Sequence, residues 1–191
     1  MGDLETIILP HLEQYPIYAA LFEDVENAQF LRDQLLQGNS AFEYAFLDAS
    51  MILSRDHLLA ACFKAINDMA NDRLKTRNVH SEIVFALSPN NNIAESFRRF
   101  GLSNESKNII AMKVATKAEI TCESIQSHLV DNVKGTPQHL TDSRLAQARD
   151  LLRLRKVYKF DMKIDAKQKT AAVDEAQVLS AVIGSMALRG V

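Results

Sequence analysis

"KTRNVHSEIVFALSPNNNIAESFRRFG", residues 75–101, runs from a basic loop into an apolar segment, then a Ser-Pro step, an asparagine run and an amphipathic turn. Its centre, EIVFAL at 82–87, is short, apolar and closed by Ser88-Pro89, which predicts a buried strand. The asparagines satisfy their own backbone as turns and caps, and Asn92 is placed to cap a helix opening at Ile93. That helix turns Ile93, Phe97 and Phe100 inward and stops at Gly101. A strand followed directly by a helix sets the expectation of a layered α and β fold.

Outward from this stretch the same alternation of periods recurs. Residues 15–22, YPIYAALF, predict a strand, and Asp24 predicts the cap of a helix carrying Ala28, Phe30, Leu31 and Leu35, closed by Gly38. Phe42, Tyr44 and Phe46 alternate along a strand at 42–47. Ser54 caps a helix bearing Leu58, Cys62, Ala65, Ile66 and Met69. Beyond the central stretch, 108–115 predicts a strand, and Thr116 with Glu119 a capping box for a helix with Ile120, Ile125 and Leu129. After a loop at 134–137 come a helix over 142–152, a short strand near 158–162, and a last helix opened by Asp174 with Gln177 as its partner. Val178, Ala181, Val182 and Met186 line the inner side of that last helix. The expected fold class is α/β (α+β), one domain over 1–191, with a mixed or antiparallel sheet packed with helices.

Composition narrows the function classes. With 191 residues, 47% hydrophobic and 24% charged, the chain has the makings of a soluble globule with a real core rather than a disordered one. A net charge of −2 supplies no global field for nucleic acid, so any such contact needs a local patch. Cys62 and Cys122 sit in apolar helical patterns, as reduced core thiols do, and no secretory leader or membrane-length apolar run is visible, so a cytosolic or nuclear protein is expected. No glycine-rich phosphate loop, nucleophile elbow, H-E-x-x-H or C-x-x-C occurs. Ser54 with Asp56 and His57 reads as a helix cap with a histidine on the first-turn surface, and His80 beside Ser81-Glu82 lacks convergent partners. Neither an enzyme nor a cofactor or metal is expected.

What remains is binding chemistry. Arg73, Lys75 and Arg77 in the loop at 72–78 suit phosphates, although cations at a helix end also offset its dipole. A denser group, Arg149, Arg153, Arg155, Lys156 and Lys159, interleaves with Leu151, Leu152 and Leu154. Glu82, a charge beside the apolar segment, is placed to tie the basic loop down by an ion pair.

Several motifs together are similar to one family. Arg77-Asn78, Ser81-Glu82, Leu87-Ser88-Pro89, Asn92-Ile93 and Phe100-Gly101 stand in the family's order, supported by ALFEDVENA at 20–28, AFLDAS at 45–50, RKVYK at 155–159 and ALRGV at 187–191. The chain resembles the CGI-type small subunit of the KEOPS/EKC complex over nearly its whole length; 168–180 is less typical. The resemblance implies a non-catalytic subunit that binds the complex's small atypical kinase on its N-terminal lobe and supports its activity. A different subunit, the threonylcarbamoyl transferase, modifies the adenosine beside the anticodon of tRNA. Archaeal relatives also grip the tRNA 3′ end, and yeast relatives are tied to telomere upkeep and transcription. Residence in nucleus and cytoplasm, and at telomeres, follows by the same resemblance. On that basis Leu154, Val157, Leu179, Ile183 and Leu188 are the expected kinase contacts, and Lys75, Arg77 and Arg153 the expected tRNA contacts, with the C-terminal tail shaping the 3′-end site. An independent RNA-binding protein without a kinase partner is the alternative.

Overall fold

Side chains alternate across a strand, so one sheet can bury two different sets of residues if both of its faces are covered. The computed structural model describes residues 4–161, 163–165, 170–172 and 174–189, and its main sheet is of that kind. The strands are β1 (Glu5–Ile7), β2 (Ile17–Glu23), β3 (Ala45–Asp48), β4 (Ile109–Val114) and β5 (Thr136–Gln138). All pairings are antiparallel, in the order β1-β2-β4-β3. β5 pairs with Leu21–Glu23 of β2 while β1 pairs with Ile17–Ala19, so the two lie end to end along one edge. β4 is buried at every position, which is why its sequence is apolar on both faces save for Lys113, whose ammonium donates to the Glu43 carbonyl.

One face presents Ile17, Ala19, Leu21, Leu47, Ile110 and Met112 to α2 (Arg55–Ala70), α3 (Val79–Ala86), α6 (Asp142–Ala148), α7 (Leu151–Tyr158) and α8 (Glu175–Ala187). The end of α4 (Ile93–Phe100) joins them through Phe100. The other presents Ala20, Phe22, Phe46, Ile109 and Ala111 to α1 (Ala28–Leu36) and α5 (Cys122–Asn132). The described residues thus form helices, sheet and helices in three layers, an α+β architecture with an antiparallel sheet. A ribbon of β6 (Lys163–Asp165) and β7 (Thr170–Ala172) precedes α8.

The decisive stretch differs from expectation at its centre. Residues 82–87 are not a strand; they belong mostly to α3. Asn78 accepts the Ser81 N–H as the cap, Glu82 sits in the first turn, and almost every residue of the helix is buried. A helix buried on nearly all sides, with an all-apolar second half, has no periodic signature to separate it from a buried strand. α4 follows as expected, capped by Asn92 and ended at Gly101, where a Cβ would come within 2.7 Å of the Phe97 carbonyl oxygen. Only Phe100 of its aromatics is fully inward; Ile93 and Phe97 are 40% and 37% exposed.

Smaller differences have equally local causes. Asp24 does not cap α1; it takes a positive φ, and Asn27 precedes the helix with its amide bonded to Asn132 O and Lys134 N, stapling α1 to the end of α5. The strand at 42–47 starts only at Ala45, after a 3-10 turn over Ser40–Phe42, yet Phe42, Tyr44 and Phe46 still share one cluster. The capping box of α5 is Thr121 with Ser124, not Thr116 with Glu119. The helix expected over 142–152 is two, broken where Asp150 caps α7, and α7 continues to Tyr158 instead of yielding to a strand. Lys159, in the left-handed conformation, ends it; Met162 lies outside the described residues.

Candidate functional site

The closing helix α8 opens on Asp174, which accepts the Gln177 N–H, and its Val178, Val182 and Met186 are core. Ala181, expected inward, faces solvent. Leu154 is 0% exposed and lies wholly in the core, so it offers a partner no surface; its place among the contact residues is corrected. At three- and four-residue spacings along α7, Leu154 and Tyr158 are the inward pair, and Val157 is left half-buried at their flank. Leu179 and Ile183 are half-buried, and Leu188 is 71% exposed. Between them Ala176, Ser180 and Gly184 keep the outward side low, and a Cβ built on Gly184 meets nothing within 4 Å. Arg149 fixes the start of α8 by donating to the Glu175 carboxylate and to Leu53 O.

α3 is the strut between this face and the rest. Past its C-terminal end Leu87 O accepts from the Tyr158 hydroxyl, which leaves His57 Nε2–H to donate to the Tyr158 oxygen at 2.8 Å while His57 Nδ1 accepts the Leu53 N–H. His57 is therefore interior and neutral, not first-turn surface; burial alone pulls its pKa down to about 3. At the N-terminal end, Glu82 Oε2 accepts from the backbone N–H groups of Lys75 and Thr76 and from the Thr76 hydroxyl. Glu82 does tie down the basic loop, but by backbone capture rather than an ion pair. His80 accepts the Val114 N–H on Nε2 and so carries its proton on Nδ1, 3.7 Å from Glu43. That ring, with Lys113 and Arg77 nearby, holds the Glu43 carboxyl below the usual carboxylate range against the opposing effect of burial.

A cavity of about 650 Å³ opens between α1, α3, α4 and the residues leading into β3. Phe42, Tyr44, Phe46 and Phe97 give it aromatic walls, and its charged lining is mixed: Arg32, Arg77 and Arg98 with Glu43 and Glu105. Arg98 is committed to Glu95. Arg32 and Arg77 make no hydrogen bond or ion pair with any described residue. Arg77 lies against Gly38, where a Cβ would stand 3.1 Å from a guanidinium nitrogen, a contact a small shift of that flexible side chain relieves; it is the positive φ of 69° that calls for glycine there. Behind the aromatic wall, buried Lys113 stands 5.0 Å from the Tyr44 ring centre, and the Tyr44 hydroxyl bonds His128. Guanidinium groups beside aromatic walls suit a ligand with an aromatic face and a negative charge, with Glu43, which feels Arg77, as the opposing charge in the same cavity.

The expected cationic residues divide. Lys75 and Arg77 share one loop, exposed, with Arg77 at the cavity. Arg153 is on α7 outside the cavity lining, donating to Ser50 Oγ and 3.9 Å from Asp48. The rest of the dense basic group is partly spent inside the fold, Arg149 on Glu175 and Arg155 on Phe160 O. Arg32 and the aromatic wall escaped sequence reasoning: Arg32 reads as the polar side of a helix, and its convergence with Arg77 is created only by folding. Gly190 and Val191, the end of the tail expected at the 3′-end site, lie outside the described residues.

Residues 22–190 match the model of the family described as kinase binding protein CGI-121. The chain is 50% identical over 193 aligned residues to an EKC/KEOPS complex subunit of Aspergillus terreus, covering 99% of this chain and 98% of the relative. It is 53% identical to the corresponding subunit of Coccidioides immitis over 84% of this chain and 78% of the relative. The subunit of Schizosaccharomyces pombe is 31% identical over 96% and 99%.

Proposed function

The chain belongs to the CGI-121 family of kinase binding proteins, and from that premise we propose that it is a non-catalytic KEOPS/EKC subunit that binds and supports the complex's small atypical kinase. Through that kinase it serves, indirectly, the transferase that makes threonylcarbamoyladenosine in tRNA. The observation that carries the reading is the full-length match to relatives named as subunits of that complex. The outward side of α8 supports it physically: Leu179, Ile183 and Leu188, with Val157 at the flank, offer apolar surface on a helix fixed at its start. Apolar anchors of this kind concentrate the energy of helix-face contacts. Mixing the purified chain with the kinase tests it: co-elution as one species on gel filtration is expected, and separate elution at micromolar concentration contradicts it.

The proposal extends to the tRNA 3′ end, with work in nucleus and cytoplasm, at telomeres and in transcription. What supports the RNA contact is the aromatic-walled cavity, where Arg32 and Arg77 make no hydrogen bond or ion pair with a described residue, beside Lys75, since single-stranded ends are held by stacking plus backbone charge. Arg153, engaged with Ser50 and Asp48, is a peripheral member of that set. A chain that shifts tRNA on a gel but never retains the kinase would instead be the independent RNA-binding protein.

A further inference from the structure

Arg189 is the last residue the structure describes, and its side chain turns back onto α3. The guanidinium carbon stands 3.9 Å from the centre of the Phe85 ring. Its Nη1 donates to the Phe85 carbonyl and, at 3.2 Å, to the Ser88 carbonyl. The Phe85 carbonyl is in the last turn of α3, where a helix leaves acceptors without intrahelical donors, and the Ser88 carbonyl lies just past the Leu87 cap. Phe85 O already accepts the Ser88 N–H, so Arg189 fills its second lone pair. A guanidinium held on its face by a ring and on its edge by two carbonyls has little freedom left. No described carboxylate pairs with it as a salt bridge.

The neighbour on the chain is Leu188, the most exposed large apolar side chain of the described residues at 71%. Its N–H closes the last turn of α8 on Gly184 O. With Arg189 fixed to α3, the backbone on both sides of Leu188 is fixed, and the leucine is displayed to solvent on an ordered turn. An apolar anchor ordered before binding spares the complex the entropy of ordering it afterwards.

Resting on the kinase-binding reading above, we infer that Arg189 is a positioning residue: it clasps the end of α8 to the end of α3 and presents Leu188 to the kinase. The role is separable from plain stability, because it acts only through Leu188. The test is a double-mutant cycle read by calorimetric titration of the kinase with the intact chain and with Leu188→Ala, Arg189→Ala and the double variant. Each single variant is expected to bind about tenfold more weakly, a change of about 1.4 kcal/mol, and the double variant no more weakly than Leu188→Ala alone. Arg189→Lys, which keeps the cation over the ring but not the forked donors, is expected to fall between wild type and Arg189→Ala. It supplies the cycle if the alanine variant folds poorly. Additive losses, or wild-type affinity in both Arg189 variants, overturn the inference. Failure of the wild-type chain to bind the kinase overturns the proposed function itself.

Discussion

His57 is neutral because nothing around it rewards a charge: Nδ1 accepts the Leu53 N–H and Nε2–H meets the Tyr158 oxygen, so a second proton would break a bond in the interior. An unfolded histidine titrates near 6.5, whereas this one stays neutral until about pH 3. Between those values the unfolded chain binds a proton that the folded chain does not. Stability is therefore full above pH 6.5 and falls on acidification through that window, by about 1.4 kcal/mol per pH unit from this residue. Urea melts at pH 7 and pH 5 are expected to show a smaller pH difference for His57→Gln than for wild type; equal differences contradict the assignment. Glu82 makes a second residue-scale case. Its one oxygen holds two backbone N–H groups and a hydroxyl, so Glu82→Ala orphans the loop carrying Lys75 and Arg77 and is expected to cost about 2–4 kcal/mol in denaturant titration. Glu82 was legible as a structural tie because a carboxylate inside an apolar run demands partners. His57 was not, since sequence carries no sign that Tyr158, 101 residues on, would supply one.

At the scale of elements, some helix starts were legible and others, at Asp24 and Thr116, were not. Ser54, Asn92 and Asp174 cap the helices they were expected to cap, because a cap is a contact between residues three apart. α3 was misread as a strand because it is buried all round, and burial comes from elements distant in sequence. Its helical state can be tested through its own cap: Asn78→Ala is expected to lower stability by about 1 kcal/mol, whereas a strand beginning at 82 would be indifferent. In α8, Gly184 pays the backbone entropy of a mid-helix glycine with open space around it. Gly184→Ala is expected to raise thermal stability, by about 0.5–1 kcal/mol in the folding equilibrium, and a loss would mean that the residue is packed.

Across the whole molecule, the alternation of apolar segments foretold a mixed or antiparallel sheet packed with helices, but not which helices cover which face. The candidate sites were legible unequally for the same reason. Leu188 stayed exposed at a helix end, while Leu154, only a few residues from exposed Leu152, went to the core because α7 turns that side inward. The cavity was invisible, since its cations and rings come from segments as far apart as Arg32 and Arg98. Its proposed role predicts a gel shift with tRNA that weakens as salt rises and is lost when Lys75 and Arg77 both become Glu; an unchanged shift contradicts it. The central claim concerns α8, and titration calorimetry of the kinase against Ile183→Arg tests it most directly. Ile183 is half-buried at the edge of the outward side, and far-UV circular dichroism reports whether the variant keeps its fold. The account predicts a folded variant whose affinity falls at least about tenfold, since a charge at the contact loses its hydration without a partner. A folded variant that binds the kinase as tightly as wild type contradicts it.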